Sequence, residues 1–117
     1  MPAYRQIVDA IRVLLVEGAL PPGTPLPSVR RLATDLGVHF NTVSEAYRQL
    51  AEEGWIDLRH GRGALVVERG APQPAAPERL QEFRTQLRNL IAQMRAAGVA
   101  PARIAAELRS LEETLKP

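Results

Sequence analysis

The sequence lacks cysteine, long apolar runs and any signal-peptide pattern. With no cysteine among its 117 residues, it can form neither a disulfide framework nor a thiolate metal site. No segment approaches the ~20 consecutive apolar residues that a membrane-spanning helix needs. The first residues do not combine a basic start, an apolar stretch and a cleavage site, so we expect no secretory leader. Together these absences favour a cytoplasmic protein.

An excess of charge of one sign is missing too. Residues 1–70 contain eight arginines and eight acidic residues, and residues 71–117 contain seven basic and five acidic residues, which gives the net charge of +2. Overall charge therefore does not indicate nucleic-acid binding, and any basic patch must arise from local arrangement. Fourteen of the fifteen basic residues are arginine, which favours forked contacts to phosphate or guanine. A GC-rich genome is the alternative explanation, because alanine, proline and glycine are plentiful as well.

Catalytic and metal-binding patterns are also absent from the sequence. The two histidines, His39 and His60, have no cysteine partners and no metal-ligand spacing. No Ser-His-Asp set and no activated pair of carboxylates is visible. We therefore expect neither an enzyme nor a metal or cofactor site.

The first third of the chain predicts two helices with a rigid connection. Apolar residues recur at helical spacing through residues 3–17, and Gly18 is suited to end that helix. The proline-rich segment 20–27 cannot be helical. Ser28 can then N-cap a short helix that ends at Gly37. The side chains expected to be buried on these two helices are Tyr4, Ile7, Val8, Ile11, Leu14, Leu15, Leu32, Ala33 and Leu36.

A third helix and a β-hairpin follow. The helix is expected from about residue 40 to Glu53, before Gly54. Ile56 and Leu58 alternate with Asp57 and Arg59, and residues 64–67 are a β-prone run. The two glycines of "HGRG" between them permit a tight turn. Two short helices joined by a glycine-containing turn, then a hairpin, predict a winged helix-turn-helix domain at residues 1–69. The buried stripe of the third helix consists of Val43, Ala46, Tyr47 and Leu50.

The C-terminal third predicts a helical hairpin after a proline-rich linker at residues 70–77. In residues 78–117, apolar side chains step by three and four along two helices of roughly 18 and 14 residues, separated by a turn at Gly98 and Pro101. The fold class is therefore mainly α with a small β-hairpin: a winged domain followed by a two-helix dimerisation hairpin.

Two helices of this length have too little depth for a core of their own. They can pack on the winged domain or pair with the same hairpin of a second chain, and the linker and the spacing favour pairing. The residues of this predicted dimer contact are Leu80, Phe83, Leu87, Leu90, Ile91, Met94, Ile104, Leu108, Leu111 and Leu115.

Polar residues at the start of the third helix are candidates for contact with DNA. Because the apolar stripe fixes the buried face, Asn41, Thr42, Ser44 and Arg48 must lie on other faces. In a helix-turn-helix the first turns of the second helix enter the major groove. Asparagine can pair with adenine, and threonine or serine can contact several base edges. The alternative is that Thr42 and Glu45 form a local capping box and nothing more.

The predicted hairpin tip offers a second candidate contact. Arg59 and Arg62 can clamp phosphate or enter the minor groove, and Gly61 lets the backbone approach closely. An ordinary solvated turn is the alternative.

The start of the second helix offers a third contact. Its backbone N–H groups, with Ser28 and Arg30, are suited to a phosphate. Arg31 has a simpler explanation, an ion pair with Asp35 four residues later.

Residues 26–67 closely resemble the DNA-binding domain of the GntR family of bacterial transcription regulators. With the first helix, the resemblance covers about residues 3–68, and the short two-helix tail resembles the YtrA subfamily, whose members dimerise through such a tail. The matching residues are Leu26-Pro27-Ser28, Arg30, Leu32-Ala33, Leu36-Gly37-Val38, Asn41-Thr42-Val43, Ala46-Tyr47, Leu50, Glu53-Gly54 and Gly61-x-Gly63.

The resemblance implies a homodimer that reads an inverted repeat in double-stranded DNA, and repression by blocking a promoter. It also places Arg30, residues 39–44 and residues 60–62 at the DNA. Combined with the residue-based candidates, the expected DNA contacts are Ser28, Arg30, His39, Phe40, Asn41, Thr42, Ser44, Arg48, His60, Gly61 and Arg62.

Phe40 departs from the pattern of the family. Many members carry an arginine there that reads guanine, whereas the YtrA-like branch often has proline. Phenylalanine cannot donate a hydrogen bond, so Phe40 either contacts a thymine methyl group or packs against the protein. The operator sequence is therefore not predictable from this position.

Other branches of the family carry further activities that this sequence does not support. The MocR type adds a pyridoxal-phosphate domain with a Schiff-base lysine, but the only lysine here is Lys116. The FadR type binds metal through histidines in its effector domain, and residues 78–117 contain no histidine. Binding of a small effector stays open.

A protein-interaction module is the competing interpretation. In it, the winged domain is a scaffold without specific DNA binding, and the arginine-rich helices bind a protein partner. The neutral balance of residues 1–70 is its best support.

Overall fold

The computed structural model describes residues 2–59, 63–70 and 72–116, with only the backbone of Arg59. The chain falls into two compact units: Met1–Ala71, called here the winged unit, and Pro72–Pro117, called here the tail unit. The elements in chain order are α1 (Ala3–Val16), β1 (Pro25–Leu26), α2 (Val29–Leu36), α3 (Phe40–Glu52), β2 (Ile56–Arg59), β3 (Gly63–Val66), α4 (Pro77–Ala96) and α5 (Pro101–Glu113).

The helix α1 buries one side of its apolar stripe as predicted. Val8 is fully buried, and Ile7, Ile11 and Leu15 pack against the core. The expectation that Leu14 is buried was wrong, since its side chain is exposed. Leu14 lies at the margin of the stripe in the last turns of α1, where its side chain is not covered by the core.

The turn between α2 and α3 is made by Gly37, as the sequence predicts. Its φ of 69° lies in the left-handed region that glycine adopts most readily. The predicted burial of Leu36 was wrong, because α2 spans only about two turns and its last residue lies outside the core. Leu36 instead lines an open apolar depression of about 390 Å³ between α1 and α2.

The four residues predicted for the buried face of α3 are all buried, which confirms the stripe. They form the centre of the core of the winged unit, together with α1, α2 and the sheet. The buried core residues there are Val8, Ala33, Val43, Ala46, Tyr47, Leu50, Ile56, Ala64 and Val66.

The predicted β-hairpin is present, and it carries a third strand that the sequence did not reveal. The order is β1-β3-β2 with antiparallel neighbours, and β3 begins at Gly63 and ends at Val66 rather than Val67. The strand β1 comes from the proline-rich connection and pairs Pro25 with Leu65 and Leu26 with Ala64. Proline fits there because β1 is an edge strand. The predicted tip, residues 60–62, lies outside the described residues.

The tail unit consists of two helices of 20 and 13 residues, each with a proline in its first turn. Gly98, with a φ of 93°, provides the turn between them. Ile104 is the one buried apolar side chain among the described residues of this unit. The two helices therefore leave most of their apolar stripe uncovered.

Candidate nucleic-acid interface

The first turn of α3 begins at His39, whose extended backbone precedes the helix. The side-chain Nδ1 of His39 accepts a hydrogen bond from the backbone N–H of Asn41 at 3.1 Å. This contact satisfies one of the amide groups that every helix start leaves without an intrahelical partner. The capping box considered for Thr42 and Glu45 is therefore not formed, because Thr42 already lies within the helix.

The candidate residues of α3 divide by exposure. His39, Phe40, Asn41 and Arg48 are exposed, whereas Thr42 and Ser44 are half-buried at the margins of the apolar face. Because the opposite face is locked into the core, the exposed side chains are presented at a fixed orientation. Such an arrangement suits insertion of the helix start into a groove of DNA.

Phe40 lies outside the core of the free protein. Its side chain is 51% exposed, and its ring stacks on His39 with ring centroids 4.9 Å apart. An exposed aromatic ring beside polar groups is suited to an apolar contact such as a thymine methyl group.

The start of α2 is capped by the predicted residue. The Oγ of Ser28 accepts a hydrogen bond from the backbone N–H of Arg31 at 3.1 Å. The predicted ion pair between Arg31 and Asp35 is present at 3.4 Å. Arg30 is exposed and makes no ion pair with any other side chain in the described part of the chain, so its guanidinium group is available for a phosphate.

The ion pairs of the winged unit show which arginines are neutralised and which are not. Arg12 binds Asp9 and Glu53, and Arg48 lies 3.2 Å from Glu45. These arginines neutralise acidic groups within the unit. Arg30 is thus left as a local positive charge that the overall balance conceals.

Two contacts hold the start of α2 next to the sheet and to α3. The hydroxyl of Tyr47 donates a hydrogen bond to the carbonyl of Pro27 at 2.8 Å, and burial raises the pKa of Tyr47 to about 12. A Cβ on Gly63 would lie 3.0 Å from the carbonyl oxygen of Leu26 and 3.3 Å from the backbone N of Ser28. A side chain at position 63 would be strained, because the start of β3 approaches the start of α2 closely and the φ of Gly63 is 77°.

Sequence reasoning missed these two contacts. Tyr47 was interpreted only as an apolar core residue, although a buried tyrosine hydroxyl usually has a hydrogen-bond partner, which was a usable signal. The approach of Gly63 to Leu26 depends on the unforeseen strand β1. The wing-tip candidates His60, Gly61 and Arg62, and the side chain of Arg59, lie outside the described residues.

No group of three or more histidine, cysteine or acidic side chains in the described residues could hold a metal ion. Within the same residues, no helix is long and apolar enough to cross a membrane.

The model of the bacterial regulatory proteins of the gntR family matches residues 3–66, which is more than half of the chain. The chain belongs to the GntR family. It is 37% identical over 115 residues to the HTH-type transcriptional repressor YtrA of Bacillus subtilis, covering 98% of this chain and 82% of that protein. The protein is therefore a DNA-binding transcription regulator of the GntR family and not an enzyme.

Solved structures of the GntR type support the same assignment. YtrA from Sulfolobus acidocaldarius, described as a GntR-family transcription factor, matches with 36% identity and a TM-score of 0.54, over 80% of this chain and 85% of that one. The AraR DNA-binding domain in complex with operator ORX1 matches with 25% identity and a TM-score of 0.54, over 57% of this chain and 81% of that one.

Proposed function

We propose that the protein is a homodimeric transcriptional repressor that binds an inverted-repeat operator. The observation that carries the proposal is the exposed polar start of α3, held by a helix whose other face is buried. The relative YtrA of Bacillus subtilis is named a transcriptional repressor, which favours repression by occupying a promoter.

In the proposed complex, the start of α3 enters the major groove. Asn41 pairs with adenine, and Phe40 contacts a thymine methyl group. Thr42, Ser44, His39 and Arg48 provide further contacts from the same helix. The start of α2, with Ser28 and Arg30, binds a phosphate, and the wing tip at residues 60–62 reaches the backbone or the minor groove.

The uncovered apolar stripe of the tail unit supports the homodimer. Seven large apolar side chains on α4 and α5 are between 42% and 74% exposed: Leu80, Phe83, Leu87, Leu90, Leu108, Leu111 and Leu115. A stripe of exposed large apolar side chains is typical of an interaction site. Pairing with a second copy around a two-fold axis would match a two-fold symmetric operator. Residues 1–69 then bind DNA, residues 70–77 link, and residues 78–117 dimerise.

The test is a binding selection with sheared genomic DNA from the host at near-physiological salt. An enriched inverted repeat is expected, with a mass of two chains by light scattering at micromolar concentration. No enrichment by a folded protein would contradict the proposal and would favour the protein-interaction module.

Two classes of variant sharpen the selection. Asn41→Ala and Thr42→Ala should blur the preferred bases at one position of each half-site. Arg62→Ala should weaken binding to all DNA sequences similarly and should reduce the salt dependence of the affinity. Equal weakening of all sequences by Asn41→Ala would reduce Asn41 to a backbone contact.

A further inference from the structure

The segment that leaves the winged unit is held at Arg69, beyond the end of the sheet. The Nε of Arg69 donates a hydrogen bond to the carbonyl oxygen of Glu53 at 2.8 Å. Its guanidinium carbon lies 4.4 Å from the centre of the Trp55 ring, which is the geometry of a cation–π contact. Both contacts reach the turn that follows α3.

That turn is itself fixed by several hydrogen bonds. The carboxylate of Glu53 accepts bonds from Arg12 on α1, with Nε at 2.9 Å and a second bond from the other guanidinium nitrogen. It also accepts from Gln49 at 3.2 Å and from the indole N–H of Trp55 at 3.1 Å. The indole bond restrains the ring on which Arg69 lies.

Among the described residues, the last backbone hydrogen bond before Arg69 is formed by Val67. The N–H of Val67 donates to the carbonyl of Trp55 at 3.1 Å, whereas Glu68 is exposed. The side chain of Arg69 also lies over Gly54, where an added Cβ would be 3.7 Å from its Cγ. Arg69 therefore extends the restrained part of the chain by two residues.

Beyond Arg69, residues 70–76 lead to Pro77 at the start of α4, with prolines at 72 and 74. Proline-rich segments are semi-rigid spacers. A stiff spacer transmits a direction only if its origin is fixed.

We propose that Arg69 is a positioning residue that fixes where and in which direction the linker leaves the winged unit, and thereby limits the half-site spacing that the homodimer accepts. This inference rests on the proposed binding of an inverted repeat by a homodimer. The hydrogen bond to Glu53 sets the position of the exit, and the Trp55 ring restrains its direction.

The expected size of the effect follows from chain dimensions. Releasing Arg69 adds Glu68 and Arg69 to the free linker, and each extended residue spans ~3.3–3.6 Å. Each protomer would gain about 7 Å of reach and the dimer about twice that. At ~3.4 Å along each strand per nucleotide, the accepted spacing would widen by roughly four base pairs.

The first test varies the spacing between the two half-sites of the selected operator in single base-pair steps. The wild type should show one optimum and lose about tenfold or more in affinity two base pairs away from it. Arg69→Ala should retain the affinity at the optimum but lose less than about threefold at the same displacement. Glu68→Ala, a neighbouring exposed change, should behave as wild type, and Arg69→Lys should be intermediate because it keeps the cation near Trp55. An Arg69→Ala profile as narrow as that of the wild type, or a wild type without an optimum, would overturn the inference.

A second test uses the absence of natural cysteine to place two spin labels, at Glu17→Cys on the winged unit and Gln73→Cys on the linker. Arg69→Ala should broaden the measured distance distribution, and an unchanged width would overturn the inference. This measurement requires neither DNA nor a dimer. Failure of the proposed function would instead appear as a monomeric mass or as no repeat in the selection.

Discussion

Leu50 on α3 and Leu87 on α4 are both leucines on the apolar face of a helix. Leu50 is 0% exposed, whereas Leu87 is 52% exposed. Around Leu50, three helices and a sheet close over the stripe. Around Leu87, one other helix is too little to cover it. The winged unit therefore covers its apolar stripe within one chain, whereas the stripe of the tail unit stays exposed and is where we propose that a second copy packs.

Breaking the tail contact should have the largest effect. Leu87→Glu with Leu90→Glu would place two charges in the proposed dimer seam, and we expect a monomer by light scattering. Operator affinity should fall roughly 10²–10⁴-fold, because the second half-site is no longer held at high effective concentration. Thr85→Glu with Asn89→Glu adds the same charge to other faces of α4 and should leave a dimer. A Leu87/Leu90 variant that stays dimeric would place the seam elsewhere.

A substitution in the core of the winged unit should have the next largest effect, a loss of folding stability. Leu50→Ala should lower the free energy of unfolding by about 2–5 kcal/mol, because it removes buried contacts and leaves a cavity. Fluorescence of Trp55, the one tryptophan in the sequence, reports on this unit during urea unfolding. Leu111 on α5 is half exposed. Leu111→Ala should therefore lower the free energy of unfolding obtained from the same signal by less than about 1 kcal/mol. Equal shifts would mean that the two units unfold together.

The ion pair of Glu53 in the winged unit should contribute less to stability than the apolar core does. Hydrogen bonds from Arg12, with help from Gln49 and Trp55, hold the pKa of Glu53 below its ordinary value. A carboxyl with a lowered folded pKa stabilises the fold above its unfolded pKa of about 4.3, and this contribution is lost as pH falls through the folded value.

Glu53→Gln should therefore cost about 1 kcal/mol at neutral pH, a figure reduced for the partial exposure of Arg12. Its disadvantage should vanish in acid, as measured by urea unfolding across pH. The control is Glu82→Gln on α4, which removes an exposed ion pair with Arg79 and should cost almost nothing. A penalty for Glu53→Gln that is constant down to pH 2 would contradict the assignment.

Helix capping gives the smallest contrast. Ser28→Ala removes the side-chain cap of α2 and should cost about 0.5–1 kcal/mol. In the tail unit, α5 begins at Ala100 without a side-chain cap, so Ala100→Ser should stabilise it by a similar amount. Thermal unfolding followed by circular dichroism measures both, and opposite signs are expected. A loss of stability in both variants would exclude capping as the cause.

Local patterns in the sequence predicted most of the helical fold. Periodicity identified the stripe of α3, and glycines at 37 and 54 marked helix ends, because these signals depend only on neighbouring residues. The strand β1 was missed since its partner Leu65 lies forty positions from Pro25, and proline argued against a strand. Burial of Leu14 and Leu36 was overestimated because periodicity gives a face but not what covers it.

The candidate interface was predicted in composition but not in detail. The exposure of Asn41, the free Arg30 and the cap by Ser28 follow from local rules. The cap by His39, the bond from Tyr47 to Pro27 and the anchoring of Arg69 on Trp55 do not, because each depends on how distant or unusual partners meet in space.

The cap at His39 determines which of its ring nitrogens can donate a hydrogen bond. A neutral imidazole whose Nδ1 accepts the bond from Asn41 carries its proton on Nε2, so Nε2 is a donor. It is complementary to phosphate oxygens and to the acceptor edges of purines, and it is mismatched to the amino group of cytosine. The cap of α3 thus fixes the tautomer of His39 and, in the proposed complex, the polarity of the contact that His39 would make with the operator.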